Sequence, residues 1–392
     1  MFLRSTLISL SLLALPTLAL AKTPCGGNFN SFINGVKSEA AKKGHSKAEL
    51  DKFFANVRQD KKVLQHDRSQ AVFRQNFSQF AGRVVSSNRL KVGASKRKQY
   101  ASSFKSAQSN FGVPSSVLLA FWAMETDFGA NQGNFNTLNA LATLAHDCRR
   151  PQLFRPQIFA TIELWKKGTF NPATSKGAWA GEIGMVQMLP EDVLYRGVDG
   201  DGDGKVNLVS SAPDAILTSA KVLSSHGWKS GQPWMVEVSV PQNLDWAKTG
   251  LGKPQSVSSW SSMGVKARGK MPSGKYQASL LLPEGRKGPA FLVFPNFDVY
   301  FKWNKSLVNV TSAAYFATRL AGAPAFNKGN PDKALSTNQM VALQKKLKSR
   351  GHDVGRVDGI LGAKTRIAVQ KEQARVGLPA DAWPTTALLN KI

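Results

Sequence analysis

The chain has 392 residues and a net charge of +27, from 52 Lys+Arg against 25 Asp+Glu, with 42% hydrophobic residues. That length and apolar content exclude a disordered basic tail and predict two or three folded domains, while the charge implies a polyanionic partner: nucleic acid, an anionic membrane or an anionic wall polymer. Two cysteines and five histidines exclude a Cys/His zinc-finger array.

Residues 1–21 place Arg4 before an apolar run, a break at Pro16 and the small-x-small site Ala19-Leu20-Ala21. This is the pattern of a secretory signal peptide, and the run is too short to span ~30 Å of hydrocarbon. Cys25 falls inside the mature chain rather than at its start, so a lipoprotein anchor is not expected. An exported, non-membrane-spanning protein follows, which removes nucleic acid as partner. The oxidising compartment predicts a Cys25–Cys148 disulfide.

Charge is unevenly spread. Residues 22–112 carry 18 basic and 5 acidic side chains, whereas residues 113–240 carry 10 and 12. The first region has apolar residues at Phe53, Phe54 and Val57, then Phe73, Phe77 and Phe80, and reads as basic helices. Residues 113–128 read as a buried helix, with Pro114 in its first turn and Gly129 as its left-handed stop. Further helices are expected at 137–144, 156–166 and 214–226, with a Gly-rich loop over 168–190. Strands are expected at 234–240, 276–282 and 290–294, and a last core helix at 307–320. Residues 322–335 hold two prolines and two glycines and read as a linker to a small unit at 336–392.

Glu125 stands on the otherwise apolar helix, with Phe121 and Trp122 one turn before it. A carboxyl held against aromatic groups favours its neutral form and suits a general acid. Asp127, two residues on, points to another face. Glu182, in a Gly-flanked loop, could be brought in by the fold. Asp199, Asp201 and Asp203, with Gly204 sixth, match the start of an EF-hand Ca²⁺ loop. Position twelve is Ser210 rather than an acid, which leaves Asp214 to close the shell. Gln187 offers a donor and an acceptor for sugar hydroxyls. Trp179 is among the tryptophans able to stack on sugar faces.

Together these motifs resemble the lytic murein transglycosylases of the B type. The matching run is Phe111-Gly112-Val113-Pro114, Met124 to Gly129, Thr137 to Leu144, Trp179 to Gly184, Gln187 to Pro190, the 199–203 loop, Asp214-Ala215-Ile216, His226-Gly227-Trp228, Pro295-Asn296-Phe297 and Trp303-Asn304. The tail, with Leu343-Gln344, Val357-Asp358-Gly359, Gly362, Thr365-Arg366, Gln373 and Asp381, resembles a small three-helix peptidoglycan-binding domain. It departs from that pattern at Glu372, where an aromatic is usual, and at Ala382, where glycine is. Ala178 and Asn309 depart from the catalytic pattern, which often has Ser and Tyr there.

The resemblance implies a mainly α, α+β fold: a lysozyme-like catalytic domain at 22–321 with a small β part, followed by the three-helix domain. It implies a periplasmic peptidoglycan lyase in a Gram-negative bacterium, able to work beside wall-synthesis complexes. Glu125 is then the single catalytic acid/base, and the products carry 1,6-anhydromuramoyl ends. Gln187, Asn304, Glu182 and Trp179 become substrate-site groups. Asp199, Asp201, Asp203, the Lys205 carbonyl and Asp214 become ligands of a structural Ca²⁺, with no organic cofactor. Two competing expectations are a hydrolytic muramidase using Glu125 with Glu182 or Asp127, and a non-catalytic wall-binding scaffold.

Overall fold

The computed structural model describes residues 23–69 and 75–392, so the expected leader at 1–21 and Phe73 lie outside the described residues. The basic N-terminal third folds as short helices that begin where a polar side chain can satisfy free N–H groups. Asn28, Ser46, Asp60, Asn76 and Ser86 each accept from a backbone N–H in the following turn, and Ser46 and Asn76 complete capping boxes with Glu49 and Gln79. Their apolar stripes, including Phe32, Val36, Phe53, Phe54 and Phe77, are buried in the main core.

The expected buried helix runs Ser115–Thr126, with Pro114 at its N-cap rather than in its first turn. Its end also differs from expectation. Asp127 and Phe128 already take left-handed backbone (φ 53° and 60°) before Gly129 (φ 93°). Non-glycine residues adopt this only when their surroundings hold them there. Phe128 is buried with its ring edge-on to Trp122 at 5.8 Å, and Asp127 is paired with Arg89 at 3.0 Å. The strain falls within three residues of Glu125.

Helix Thr137–His146 packs on helix Pro151–Lys166, which starts five residues before the expected Pro156. Pro151 occupies its first turn, where a missing N–H costs nothing, and Pro156 is carried inside the helix. Helix Ala212–Ser225 follows the acidic loop.

The β part is a five-stranded antiparallel sheet in the spatial order 255–256, 277–281, 291–293, 235–239, 266–267. Its period-two alternation feeds two cores. Met235, Leu281, Phe291 and Val293 face the main helical core, while Val238, Leu280, Leu292 and Phe294 build a second cluster around buried Trp260. Helix Pro295–Trp303 follows directly, an element the sequence reading did not separate, and helix Leu307–Leu320 packs against Ser115–Thr126.

Residues 323–335 carry no helix or strand, yet they are held to the body. Phe326 packs on Phe77 and Tyr315 at 5.0 and 4.9 Å, and Asp332 pairs with Lys287 at 2.6 Å. Helices Thr337–Ser349, Ala363–Arg375 and Thr386–Lys391 then close on Leu343, Leu347, Val369 and Leu388. Glu372, in place of an aromatic, is buried and bonded to Arg375 (2.8 Å) and His352 (2.9 Å). Ala382 takes the left-handed φ of 60° that glycine would adopt more cheaply.

Candidate active site

Glu125 occupies the last turn of helix Ser115–Thr126. It is half-buried, and its Oε1 accepts a 2.9 Å hydrogen bond from the indole N–H of Trp303. Phe121, one turn earlier, lies 4.4 Å from the Trp303 ring and 4.9 Å from Tyr300, so aromatic rings back the carboxyl. Loss of water there pushes its pKa up to about 7; the Trp303 N–H opposes this and the nearby Glu182 charge adds to it. A group that titrates at about 7 can donate and recover a proton near neutral pH.

The 177–188 loop brings Glu182 within electrostatic reach of Glu125. The loop closes through Ala178 N–H to Glu182 O (3.0 Å) and a bridge between Ile183 and Met188. A Cβ at Gly177 would lie 2.0 Å from the Glu182 carbonyl oxygen, so only glycine fits. Burial raises the Glu182 carboxyl as well, against the lowering influence of its own N–H and of Arg150. Asp127 does not join the pair; it is committed to Arg89.

Gln187 departs from expectation. Its Nε2 donates to Gln132 O (3.1 Å) and Gly184 O (2.8 Å), so both amide hydrogens hold the loop and only Oε1 is left for a ligand. Its φ of 51° is part of the same tight turn. Asn304 is the C-cap of helix Pro295–Trp303, with Oδ1 accepting Ser306 N–H at 2.9 Å. Its side-chain NH₂ is the group it can turn to a substrate. Trp179 is half-buried and lies nearly parallel to His66, 6.3 Å between centroids, with Phe135 edge-on to the same imidazole.

The sequence offers Trp303 as one of several tryptophans able to stack on sugar, not as the donor to Glu125, and it does not mark out His66. The Trp-Asn dipeptide was the available signal for Trp303; His66 carried none. Arg150 was missed too. It pairs, with Arg149, onto Asp67, which is buried. The neighbouring Cys148 is disulfide-bonded to Cys25 with 5.3 Å between Cα atoms, and Gly26 N–H reaches His146 O at 2.8 Å.

In the acidic loop, carboxylate oxygens of Asp199, Asp201 and Asp203 lie within 4.8 Å of one another. Backbone N–H groups of Gly202 and Gly204 bond Asp199 at 2.7 and 2.8 Å, and that of Lys205 bonds Asp203 at 2.8 Å. The Gly204 bond, above all, holds the Asp199 carboxyl below its ordinary value. Three clustered hard oxygen donors fit Ca²⁺ chemistry. Asp214 is not part of that 4.8 Å cluster. It is buried, and its two oxygens accept from Gly200 N–H (2.8 Å) and Asn207 N–H (2.6 Å), tying the two ends of the loop together.

Residues 28–318 match the family model described as "Transglycosylase SLT domain". The chain belongs to that family. Beyond this transglycosylase SLT domain, residues 336–392 match a model described as "Putative peptidoglycan binding domain". The chain is 35% identical to SltB3 of Pseudomonas aeruginosa, solved in complex with NAG-anhNAM-pentapeptide, with a TM-score of 0.85 over 93% of this chain and 99% of that one. It is 29% identical over 211 residues to membrane-bound lytic murein transglycosylase B of Escherichia coli (strain K12). That match spans 53% of this chain and 57% of the relative, little more than half its length. The lytic transglycosylase Slt35 of E. coli, solved in complex with calcium, shares the fold at 23% identity and a TM-score of 0.64, over 78% of this chain and 98% of that one. The fold class is therefore a mainly helical transglycosylase SLT domain with a small sheet, followed by the three-helix unit. No helix of the described residues is long and apolar enough to cross a membrane.

Proposed function

We propose that this protein is a peptidoglycan lytic transglycosylase in which Glu125 is the single acid/base. The observation that carries the reading is one desolvated carboxyl, raised to about 7 and aimed by the Trp303 N–H. Neutral Glu125 protonates the oxygen linking C1 of N-acetylmuramic acid to the next N-acetylglucosamine, and the C1–O bond breaks. The Glu125 carboxylate left behind takes the proton from the C6 hydroxyl of the same muramoyl residue as O6 bonds to C1, closing a 1,6-anhydro ring. The nucleophile is intramolecular, so its effective molarity is high and no second carboxylate is needed to activate water. Asn304 Nδ2 and Gln187 Oε1 hold hydroxyl or acetamido groups, and Trp179 supplies a stacking face.

A hydrolytic reading would use Glu182 as base. Burial favours its neutral form, which suits a base poorly. Mass spectrometry of products from purified sacculi tests the proposal. Anhydromuramoyl ends are expected; reducing muramic acid ends would overturn it. Glu125→Gln separates the enzyme from a wall-binding scaffold, since sugar release should vanish while sacculus binding persists.

The same reading takes residues 22–321 as the catalytic domain, 322–335 as linker and 336–392 as the wall-binding domain. The leader pattern at 1–21 supports export to the periplasm. Asp199, Asp201 and Asp203 would hold a structural Ca²⁺ with the Lys205 carbonyl, and Asp214 would keep the loop shaped for it. An ion bound there would neutralise the charge of the three clustered carboxylates.

A further inference from the structure

The acidic loop and the loop that carries Gln187 are built against each other. Leu208 is buried, and its carbonyl accepts Met185 N–H at 2.8 Å. A Cβ at Gly184, where φ is 76°, would lie 2.4 Å from that same oxygen, so the approach needs glycine. The 207–211 segment is tied in turn to the carboxylates. Ser211 Oγ donates to Asp201 Oδ2 at 2.6 Å, and Asn207 N–H donates to Asp214 at 2.6 Å.

Gln132 completes this junction. Its Nε2 donates to Val209 O (3.0 Å) and Gly129 O (3.2 Å), while its main-chain carbonyl accepts from Gln187 Nε2 at 3.1 Å. Two carbonyls around Nε2 fix the amide's orientation, because the flipped amide would set oxygen against oxygen. Oε1 is then left buried, with no partner among the described residues. An idle buried acceptor is destabilising, so stability alone does not explain an amide here. What the side chain does is pin its own turn to Val209, and that turn supplies the carbonyl that keeps Gln187 from rotating. We propose that Gln132 is a positioning residue: it fixes Gln187 for sugar by pinning it to the end of the acidic loop, and so couples cation binding at Asp199, Asp201 and Asp203 to glycan binding. The inference rests on the peptidoglycan and calcium readings above. Glu125 is aimed by Trp303, which belongs to none of these segments, so the coupling acts on binding and not on proton transfer.

Calorimetry on the full chain carrying Glu125→Gln, which cannot turn substrate over, tests the coupling. The probes are Ca²⁺ and a peptide-free tetrasaccharide of N-acetylglucosamine and N-acetylmuramic acid. Saturating Ca²⁺ should tighten the tetrasaccharide by about fivefold or more, and saturating tetrasaccharide should tighten Ca²⁺ by the same factor, since coupling between two sites is reciprocal. Adding Gln132→Met, of similar length but without donors, should leave both ligands binding and remove the linkage. In the otherwise wild-type chain with Ca²⁺ present, Gln132→Met should raise KM about three- to tenfold at unchanged kcat, as loss of one neutral hydrogen bond to bound substrate does. Its melting temperature should not fall, because the idle acceptor goes with the amide. A merely structural Gln132 predicts the reverse: a lower melting temperature with KM unmoved. That result, independent binding of the two ligands, or a linkage that survives Gln132→Met would overturn the proposal. If Gln132→Met does not fold, the reciprocal titration decides. A wild-type chain that neither binds nor cleaves the tetrasaccharide defeats the peptidoglycan reading itself, whereas normal cleavage without linkage defeats only the role of Gln132.

Discussion

The indole N–H of Trp303 donates to Oε1 of Glu125 at 2.9 Å, joining residues 178 positions apart. The bond stabilises the carboxylate and so opposes the desolvation that raises the group. Trp303→Phe keeps the ring against Phe121 but deletes the donor. The upper limb of the pH–rate profile should then move to higher pH, with kcat falling about tenfold as proton transfer loses its aim. A profile unchanged in position would show that the bond does not tune the acid.

The Glu125 titration also dictates a pH dependence for the wild type. The acid must be protonated to act, so kcat/KM should decline as pH rises through about 7. Stability follows the same direction. A carboxyl with pKa near 4.5 unfolded and about 7 folded binds its proton more tightly in the native state, so stability present below pH 4.5 is lost as pH rises through 7. Glu125→Gln removes that loss and should be more stable than wild type at pH 8, by on the order of 2–3 kcal/mol. Chemical denaturation at pH 4 and pH 8 measures the difference, which should be small at pH 4.

Calcium should stabilise without catalysing. At a hundredfold excess over its Kd, a bound ion contributes about 2.7 kcal/mol, worth several degrees of melting temperature. Chelator should lower the melting point of the wild type and leave Asp201→Asn unmoved. Asp214→Asn should destabilise the protein even with chelator present, since that carboxylate receives two backbone N–H groups inside the fold.

The Cys25–Cys148 bond closes 123 residues of chain. Replacing both cysteines with serine should cost roughly 2–5 kcal/mol, read from denaturant midpoints. It should also loosen the segment that presents Arg149 and Arg150 to buried Asp67.

The charge of +27 is concentrated outside residues 113–240. Sacculus binding should therefore weaken steeply between low salt and 0.5 M, whereas cleavage of short soluble glycan fragments changes little, because exposed charges are screened far more than the half-buried acid.

Most of the helical framework was legible because its causes are local. Side-chain caps such as Ser46 with Glu49, and apolar stripes such as Phe53 and Phe54, act within a turn or two, so they are written in neighbouring residues. Helix Leu307–Leu320 and the three central strands follow from the same short-range periodicity, and the alternation Leu280, Leu281, Leu282 already assigns each residue to one of two cores. Where a boundary moved, the helix expected over 156–166 starts instead at Pro151, whose ring fits a first turn.

The sequence by itself determined the kinds of group available: one carboxyl on an apolar helix, three carboxylates at alternate positions, two cysteines and an excess of basic flanks. Tertiary structure alone decided what those groups do. Desolvation depends on everything that surrounds an atom, so the raised Glu125, and the Trp303 N–H that opposes the rise, exist only in the folded chain. A side chain's free hydrogen-bonding capacity is what its spatial neighbours leave over. Both Gln187 hydrogens are taken by carbonyls of its own and a neighbouring loop, Asp214 is claimed by two N–H groups, and Arg366 Nε has no partner among the described residues. Spacing along a chain shows which groups can meet, but vacancy and burial exist only once the fold has closed.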